Sequence, residues 1–200
     1  DLAAHLNFDG DKGKAIRDLA KMVGIEIDAP KSAEWIAETQ KLCNEIQHYH
    51  ERLTIDDRDY LHKRRISDET IDRIKIGRTN NGRLCFPYWK NGYICYYATR
   101  SMPGGAFPDS KYMKLKIADH PACEHTVWGL HSIENHGSRD LLVIAEGAFD
   151  ALSFEQEKYS VISAITGFFS REQLPTVIST AKMFKKVFLV YDNDKRTGAG

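Results

Sequence analysis

Two acidic motifs carry the chemistry that this chain can offer. Leu141-Leu142-Val143-Ile144-Ala145 runs into Glu146-Gly147-Ala148-Phe149-Asp150, and Val187-Phe188-Leu189-Val190-Tyr191 runs into Asp192-Asn193-Asp194. Short apolar runs bounded by turn residues and alternating with helical stretches read as buried parallel strands, and the carboxyl ends of such strands form the ligand crevice of an open α/β sheet. Carboxylates gathered at one sheet edge repel and raise one another's pKa unless a cation neutralises them. Oxygen-only donors select a hard ion, so Glu146, Asp150, Asp192 and Asp194 are expected to hold Mg²⁺ or Mn²⁺. A metal held this way suits phosphate chemistry.

The elements that must position these motifs follow from periodicity. After Gly137 the pattern is strand, helix, strand, helix, strand. One helix follows Gly147, the strand from Val161 ends near Gly167, and Leu174, Val177, Ile178, Ala181 and Phe184 define the next helix. Ser170 and Gln173 resemble a capping box, and Pro175 is expected to distort the first turns. Upstream, Arg83–Tyr88 and Tyr93–Tyr97 flank Asn91-Gly92, a dipeptide that accepts the positive φ angles of a tight hairpin. Met102–Pro108 reads as a loop leading to the basic run Lys111–Lys116, either a nucleic-acid grip or a lysine-protected edge strand. Helices are expected from Ile16 to Val23, from Ser32 to about Leu53, and twice between Ile55 and Ile76, where Ser67 caps the second and Gly77 ends it. Trp35, Leu42, Ile46, Tyr49 and Leu53 form an apolar stripe on the Ser32 helix that reads as core packing.

Composition sets outer limits. The chain has 200 residues and a formal net charge of zero, yet residues 51–117 hold 14 Lys or Arg against 8 Asp or Glu. A basic middle followed by an acidic C-terminal part suits a protein that holds a polyanion on one surface and metal on another. No apolar run approaches the roughly 20 residues that cross a bilayer, and no secretory signal is visible, so a soluble cytoplasmic protein without a membrane partner is expected. Cys43, Cys85, Cys95 and Cys123 form no C-x-x-C pair, which fits reduced thiols. The expected architecture is α/β, with a helical segment at 1–53, a basic α+β subdomain with a β-hairpin at 54–137, and a parallel-sheet core at 138–200.

From about residue 54 onward these motifs resemble, in order, the RNA polymerase domain of DnaG-type primases of bacteria and phages, whose catalytic core is a TOPRIM fold. Tyr60-Leu61-His62-Lys63-Arg64-Arg65-Ile66-Ser67-Asp68-Glu69 through Gly77 is similar to that domain's helical entry, with Arg65 where the family usually has Gly. Arg83-Leu84-Cys85-Phe86-Pro87, the hairpin and Arg100 resemble its strand pair. Lys111-Tyr112-Met113 resembles a Lys-Tyr-Leu box, and Trp128-Gly129-Leu130 a Tyr-Gly-Leu. Glu146-Gly147-x-x-Asp150 and Asp192-x-Asp194 resemble the two TOPRIM motifs.

The resemblance implies a DNA-directed RNA polymerase that joins ribonucleoside triphosphates into short primers on single-stranded DNA, next to a replicative helicase, separate or fused. It implies Glu146 as catalytic acid or base, Asp150, Asp192 and Asp194 as metal ligands beside it, and Arg83, Arg100 and Lys111 on a groove for template and nucleotide phosphates. Other TOPRIM activities, topoisomerase or nuclease, and a non-catalytic nucleic-acid-binding module are the alternatives. Family members carry an N-terminal zinc ribbon and a further acidic motif after the Asp-x-Asp step. The chain is accordingly expected to be a piece of a longer primase or primase-helicase and to make no primers alone.

Overall fold

The computed structural model describes residues 15, 16, 32–104, 111–115, 117, 120 and 123–192. Compact units span Asp1–Ala33 and Glu34–Gly200. The helix expected from Ile16 to Val23 lies outside the described residues, apart from Ile16, which with Ala15 is helical.

Helix α1 (Ala33–Glu51), which belongs to the second unit from Glu34 onward, buries Thr39, Leu42, Ile46 and Tyr49, the 3-4-3 spacing of one helix face. The Trp35 ring near its start meets Tyr93 edge-on at 5.0 Å. Helix α2 (Ile55–Lys63) opens with a reciprocal capping box between Thr54 and Asp57, which satisfies two helix-end donors at once. Helix α3 (Asp68–Ile74) is capped by Ser67, whose hydroxyl accepts from the Thr70 N–H. Gly77 does not end this helix. The stop is made by Lys75, at φ 64°, and Gly77 instead lets the chain pass α1, where a Cβ would stand 2.6 Å from the Tyr49 carbonyl carbon.

An antiparallel sheet follows, formed in the order β1 (Gly77–Arg78), β2 (Leu84–Lys90), β3 (Tyr93–Arg100) and β4 (Tyr112–Lys114). Asn91 and Gly92 make the expected hairpin turn, at φ 50° and 77°. β4 pairs only with β3, so the described part of the basic run is an edge strand with Lys at its rim.

The second sheet is parallel, in the order β6 (Ser160–Ser163), β5 (Leu141–Ala145), β7 (Lys186–Val190). Helix α4 (Leu130–His136) precedes it, α5 (Ala148–Gln156) joins β5 to β6, and α6 (Leu174–Ala181) joins β6 to β7. Pro175 falls in the first turn of α6, where its missing N–H costs little. Ser170 N–H donates to Gln173 Oε1, one half of the expected capping box. Gly129 is compelled by contact, because a Cβ there would lie 2.0 Å from the Val161 carbonyl oxygen. β5 and β6 are buried, whereas β7 is open to solvent: Phe188 is 55% and Leu189 70% exposed. It is the edge of the sheet, and no described element covers it.

One core cluster joins α1, α2, α3, the antiparallel sheet, β5 and α5, including Ile46, Leu61, Ile71, Phe86, Val143 and Leu152. The two sheets are thereby held as parts of one core. All four cysteines are free thiols, and those at 85, 95 and 123 are buried.

Candidate active site

β5 delivers Glu146 to the carboxyl edge of the parallel sheet, and the register places Ala145 opposite Val190 of β7. Pairing continues one step past the strands, since Glu146 N–H donates to the Val190 carbonyl at 3.1 Å. The Asp192 N–H then donates to Glu146 Oε2 at 2.9 Å, so one hydrogen bond ties the first acidic motif to the second. Gly147 is the N-cap of α5. A Cβ on Gly147 would sit 3.0 Å from Asp150 Oδ2, so the glycine lets that carboxylate fold back toward the strand end.

Glu146, Asp150 and Asp192 line one cleft of about 490 Å³. Burial pushes the Asp150 pKa up, and the charges of Asp192 and then Glu146 push the same way, against the backbone N–H groups of Asp150 and Gly147. The third wall is the loop after β6. Thr166 bridges to Gly147, and Ile165 is held at φ 64°, a left-handed conformation that is an outlier for a β-branched side chain. The Ser163 hydroxyl fixes that loop by accepting the Ile165 N–H at 2.9 Å.

Facing the acids are Arg64, from the turn after α2, Arg100, from the end of β3, and Lys111, just before β4. Arg100 Nη1 donates to the Tyr112 hydroxyl at 2.6 Å. Arg64 and Arg100 also lie over the Phe149 ring, 4.3 and 4.7 Å from its centroid. The antiparallel sheet and the turn after α2 therefore supply a cationic wall, and the parallel sheet an anionic one.

Of the residues expected at the site, Glu146, Asp150, Asp192, Arg100 and Lys111 share this cleft, and Asp194 lies outside the described residues. Arg83 does not join Arg100 and Lys111. It is 2% exposed, lines a different cavity, and donates to Thr99 Oγ1 at 2.9 Å, to Ser101 Oγ at 2.7 Å and to the Lys111 carbonyl at 3.3 Å. Its guanidinium joins the end of β3 to the start of β4, a demand that its position in sequence does not reveal. Arg64, Phe149 and Thr166 line the cleft without having been singled out. Arg64 is one of three consecutive basic residues, and charge alone does not separate it from Lys63 and Arg65.

The carboxylates suit a hard divalent cation in donor type and in their mutual repulsion. Among the described residues no three His, Cys, Asp or Glu side chains stand grouped to share one ion. Glu146 is occupied by the Asp192 N–H, and the fourth acid of the expected set is Asp194.

Comparison with known proteins bears on the fold. Residues 143–198 match the Toprim-like family model. No curated protein matches the chain in sequence. The Aquifex aeolicus primase, solved with its zinc-binding and RNA polymerase domains, superposes with a TM-score of 0.62 at 18% identity, over 90% of this chain and 54% of that one. A DnaG primase catalytic domain bound to single-stranded DNA gives 0.63 at 17%, over 82% and 64%. The E. coli primase catalytic core gives 0.60 at 16%, over 80% and 62%. This chain thus spans between about half and two thirds of the length of those structures. Residues 143–198 are thus similar to the Toprim-like family, and the described residues share the fold of the DnaG-type primase RNA polymerase domain.

Proposed function

We propose that this chain is the nucleotidyl-transfer core of a DNA primase, joining ribonucleoside triphosphates on a single-stranded DNA template with release of pyrophosphate. The observation that carries this reading is the cleft in which Glu146, Asp150 and Asp192 face Arg64, Arg100 and Lys111. A nucleoside triphosphate brings several negative charges to the acidic wall and a template brings more, so both need cations. Arg100 and Lys111, with Arg64, take the phosphates. Glu146, Asp150, Asp192 and Asp194 would hold Mg²⁺ or Mn²⁺, which when bound stabilises the attacking and leaving oxygens of the displacement. Glu146, at the end of β5 in the same cleft as Asp150 and Asp192, would accept the proton of the attacking 3′-hydroxyl. A replicative helicase as partner belongs to the same reading.

The test is incorporation of labelled ribonucleotides on a single-stranded template, with Mg²⁺ or Mn²⁺, by the longest natural protein that contains this chain. Primers that disappear in Glu146→Gln support the reading, and strand cleavage or relaxation of supercoiled DNA in place of primers overturns it. Calorimetric titration with Mn²⁺ gives a second arm. Asp192→Asn combined with Asp194→Asn should abolish metal binding without loss of fold, and unchanged affinity would remove these residues from the site.

A further inference from the structure

Phe149 lies inside the Glu-x-x-x-Asp motif, between the two acids, yet its ring serves the opposite wall. The Arg64 guanidinium carbon is 4.3 Å from the ring centroid and that of Arg100 is 4.7 Å. Each is also over a second ring, Tyr60 for Arg64 and Tyr112 for Arg100, both at 5.1 Å. Phe149 is 8% exposed and is held edge-on by Tyr60 and Phe86, each at 5.9 Å. Two like charges that repel are thus drawn to one fixed ring, and no described acidic side chain makes an ion pair with either. A ring whose face attracts cations while carrying no charge can hold two guanidiniums in place and leave their charge free for a ligand. A carboxylate in its place would neutralise them.

We infer that Phe149 is a positioning residue that presents Arg64 and Arg100 as a preset pair of phosphate-binding prongs. The inference rests on the proposed nucleic-acid reading and adds to it the device that keeps the prongs ordered before anything binds. Three elements distant in sequence meet at this ring: the turn after α2, the end of β3 and the first turn of α5. Gln156 at the far end of α5 reinforces the arrangement, accepting the Ser67 N–H at 2.8 Å and donating to the Arg65 carbonyl at 3.2 Å, so the turn that carries Arg64 is fixed to the helix that carries Phe149. Without the ring, both arginines sample other rotamers and only the competent fraction binds, which lowers apparent affinity by that fraction. Each guanidinium–ring contact at a part-exposed site is worth about two- to fivefold in that population, so loss of both should cost about tenfold.

The experiment compares Phe149→Leu with the same chain carrying 4-fluoro- and 3,4,5-trifluorophenylalanine at position 149, which weaken the ring quadrupole with little change of shape. The probe is a fluorescent twelve-nucleotide oligo(dT), titrated in EDTA so that no metal contributes. The expected result is a stepwise loss of affinity with fluorination, reaching about tenfold in Phe149→Leu, with thermal unfolding of the fluorinated chains unchanged. In NMR spectra of the free chain, the Hε signals of Arg64 and Arg100 should be ring-current shifted and should move in Phe149→Leu as the Phe149 contribution is lost, leaving that of Tyr60 and Tyr112. Fluorinated chains that bind like the parent, or Hε signals that do not move, overturn the inference even when Phe149→Leu binds weakly, because the ring would then act through packing alone. A parent chain that does not bind the oligonucleotide at low salt overturns the nucleic-acid reading instead, and the positioning role falls with it.

Discussion

Arg73→Met should destabilise the protein in a way that depends on pH with a predictable sign. Glu155, five residues beyond Asp150 on α5, has a fully buried side chain and is gripped by Arg73 of α3: Nη1 donates to Oε1, and Nη2 donates to Oε2 at 2.7 Å. His131 Nε2 lies 3.7 Å from Oε1, within ion-pair reach. Burial is the largest influence on this carboxyl and raises its pKa, yet His131 and Arg73 together overcome it and bring the value from 4.5 down to about 2. At about 1.36 kcal/mol per pH unit, that displacement corresponds to about 3 kcal/mol. A folded pKa below the unfolded one gives stability that is present above about pH 4.5 and is lost as the pH falls toward 2. Removing Arg73 leaves burial less opposed, so the carboxyl pKa rises. The group then penalises the fold when ionised, and the penalty is relieved as the pH falls through the new value. Arg73 is 30% exposed and partly screened, so the expected cost at pH 7 is about 2–3 kcal/mol, below the usual range for a fully buried pair. Urea unfolding at pH 7 and pH 5 should show the smaller cost at pH 5. Burial is the largest influence pushing the His136 pKa down, and the Arg73 charge adds to it, so part of that shift is lost with Arg73. Adding Glu155→Gln should restore more than half the loss, since removing both charges leaves none buried alone. A cost under about 0.5 kcal/mol at pH 7, or one independent of pH, would refute the argument.

Other consequences are as specific. Arg83→Ala should cost about 2–3 kcal/mol in chemical denaturation, because buried acceptors lose their donor, while the salt slope of single-stranded DNA binding stays put. Arg100→Ala with Lys111→Ala should do the reverse, reducing that slope by about 0.7 per lost phosphate contact. Asp150→Asn should raise the melting temperature at pH 7. The parent's Asp150 pKa is raised, so its ionised form burdens the fold above that pKa, and the advantage of Asn should shrink as the pH falls through it; an equal or lower melting temperature at pH 7 would refute this. Arg65 sits at φ 62°, and Arg65→Gly should stabilise the fold by about 0.5–1 kcal/mol by relieving a left-handed side-chain conformation. A loss of stability in urea titration would show that contacts of the Arg65 side chain outweigh the backbone gain.

Elements whose signals are local were legible in the chain itself. Asn91-Gly92 specifies a turn through its own φ preferences, Ser67 caps the helix that begins one residue later, and the spacing of Leu42, Ile46 and Tyr49 defines the buried face of α1. The placement of Glu146, Asp150 and Asp192 at one edge was legible too, because parallel strands joined by helices must end on the same side of their sheet. Tertiary structure decided whatever depends on residues far apart in sequence. Arg83 and Arg100 flank the hairpin and carry the same charge, but one is consumed by the Lys111 carbonyl, Thr99 and Ser101 while the other reaches the cleft. Arg64 owes its place to a ring 85 positions later in the chain. Gly77 looks like a helix stop until α1 crosses it. Periodicity reports which face a residue takes, because that is set within a few residues; which neighbour waits at that face is set by packing of the whole chain, and only the folded structure holds that information.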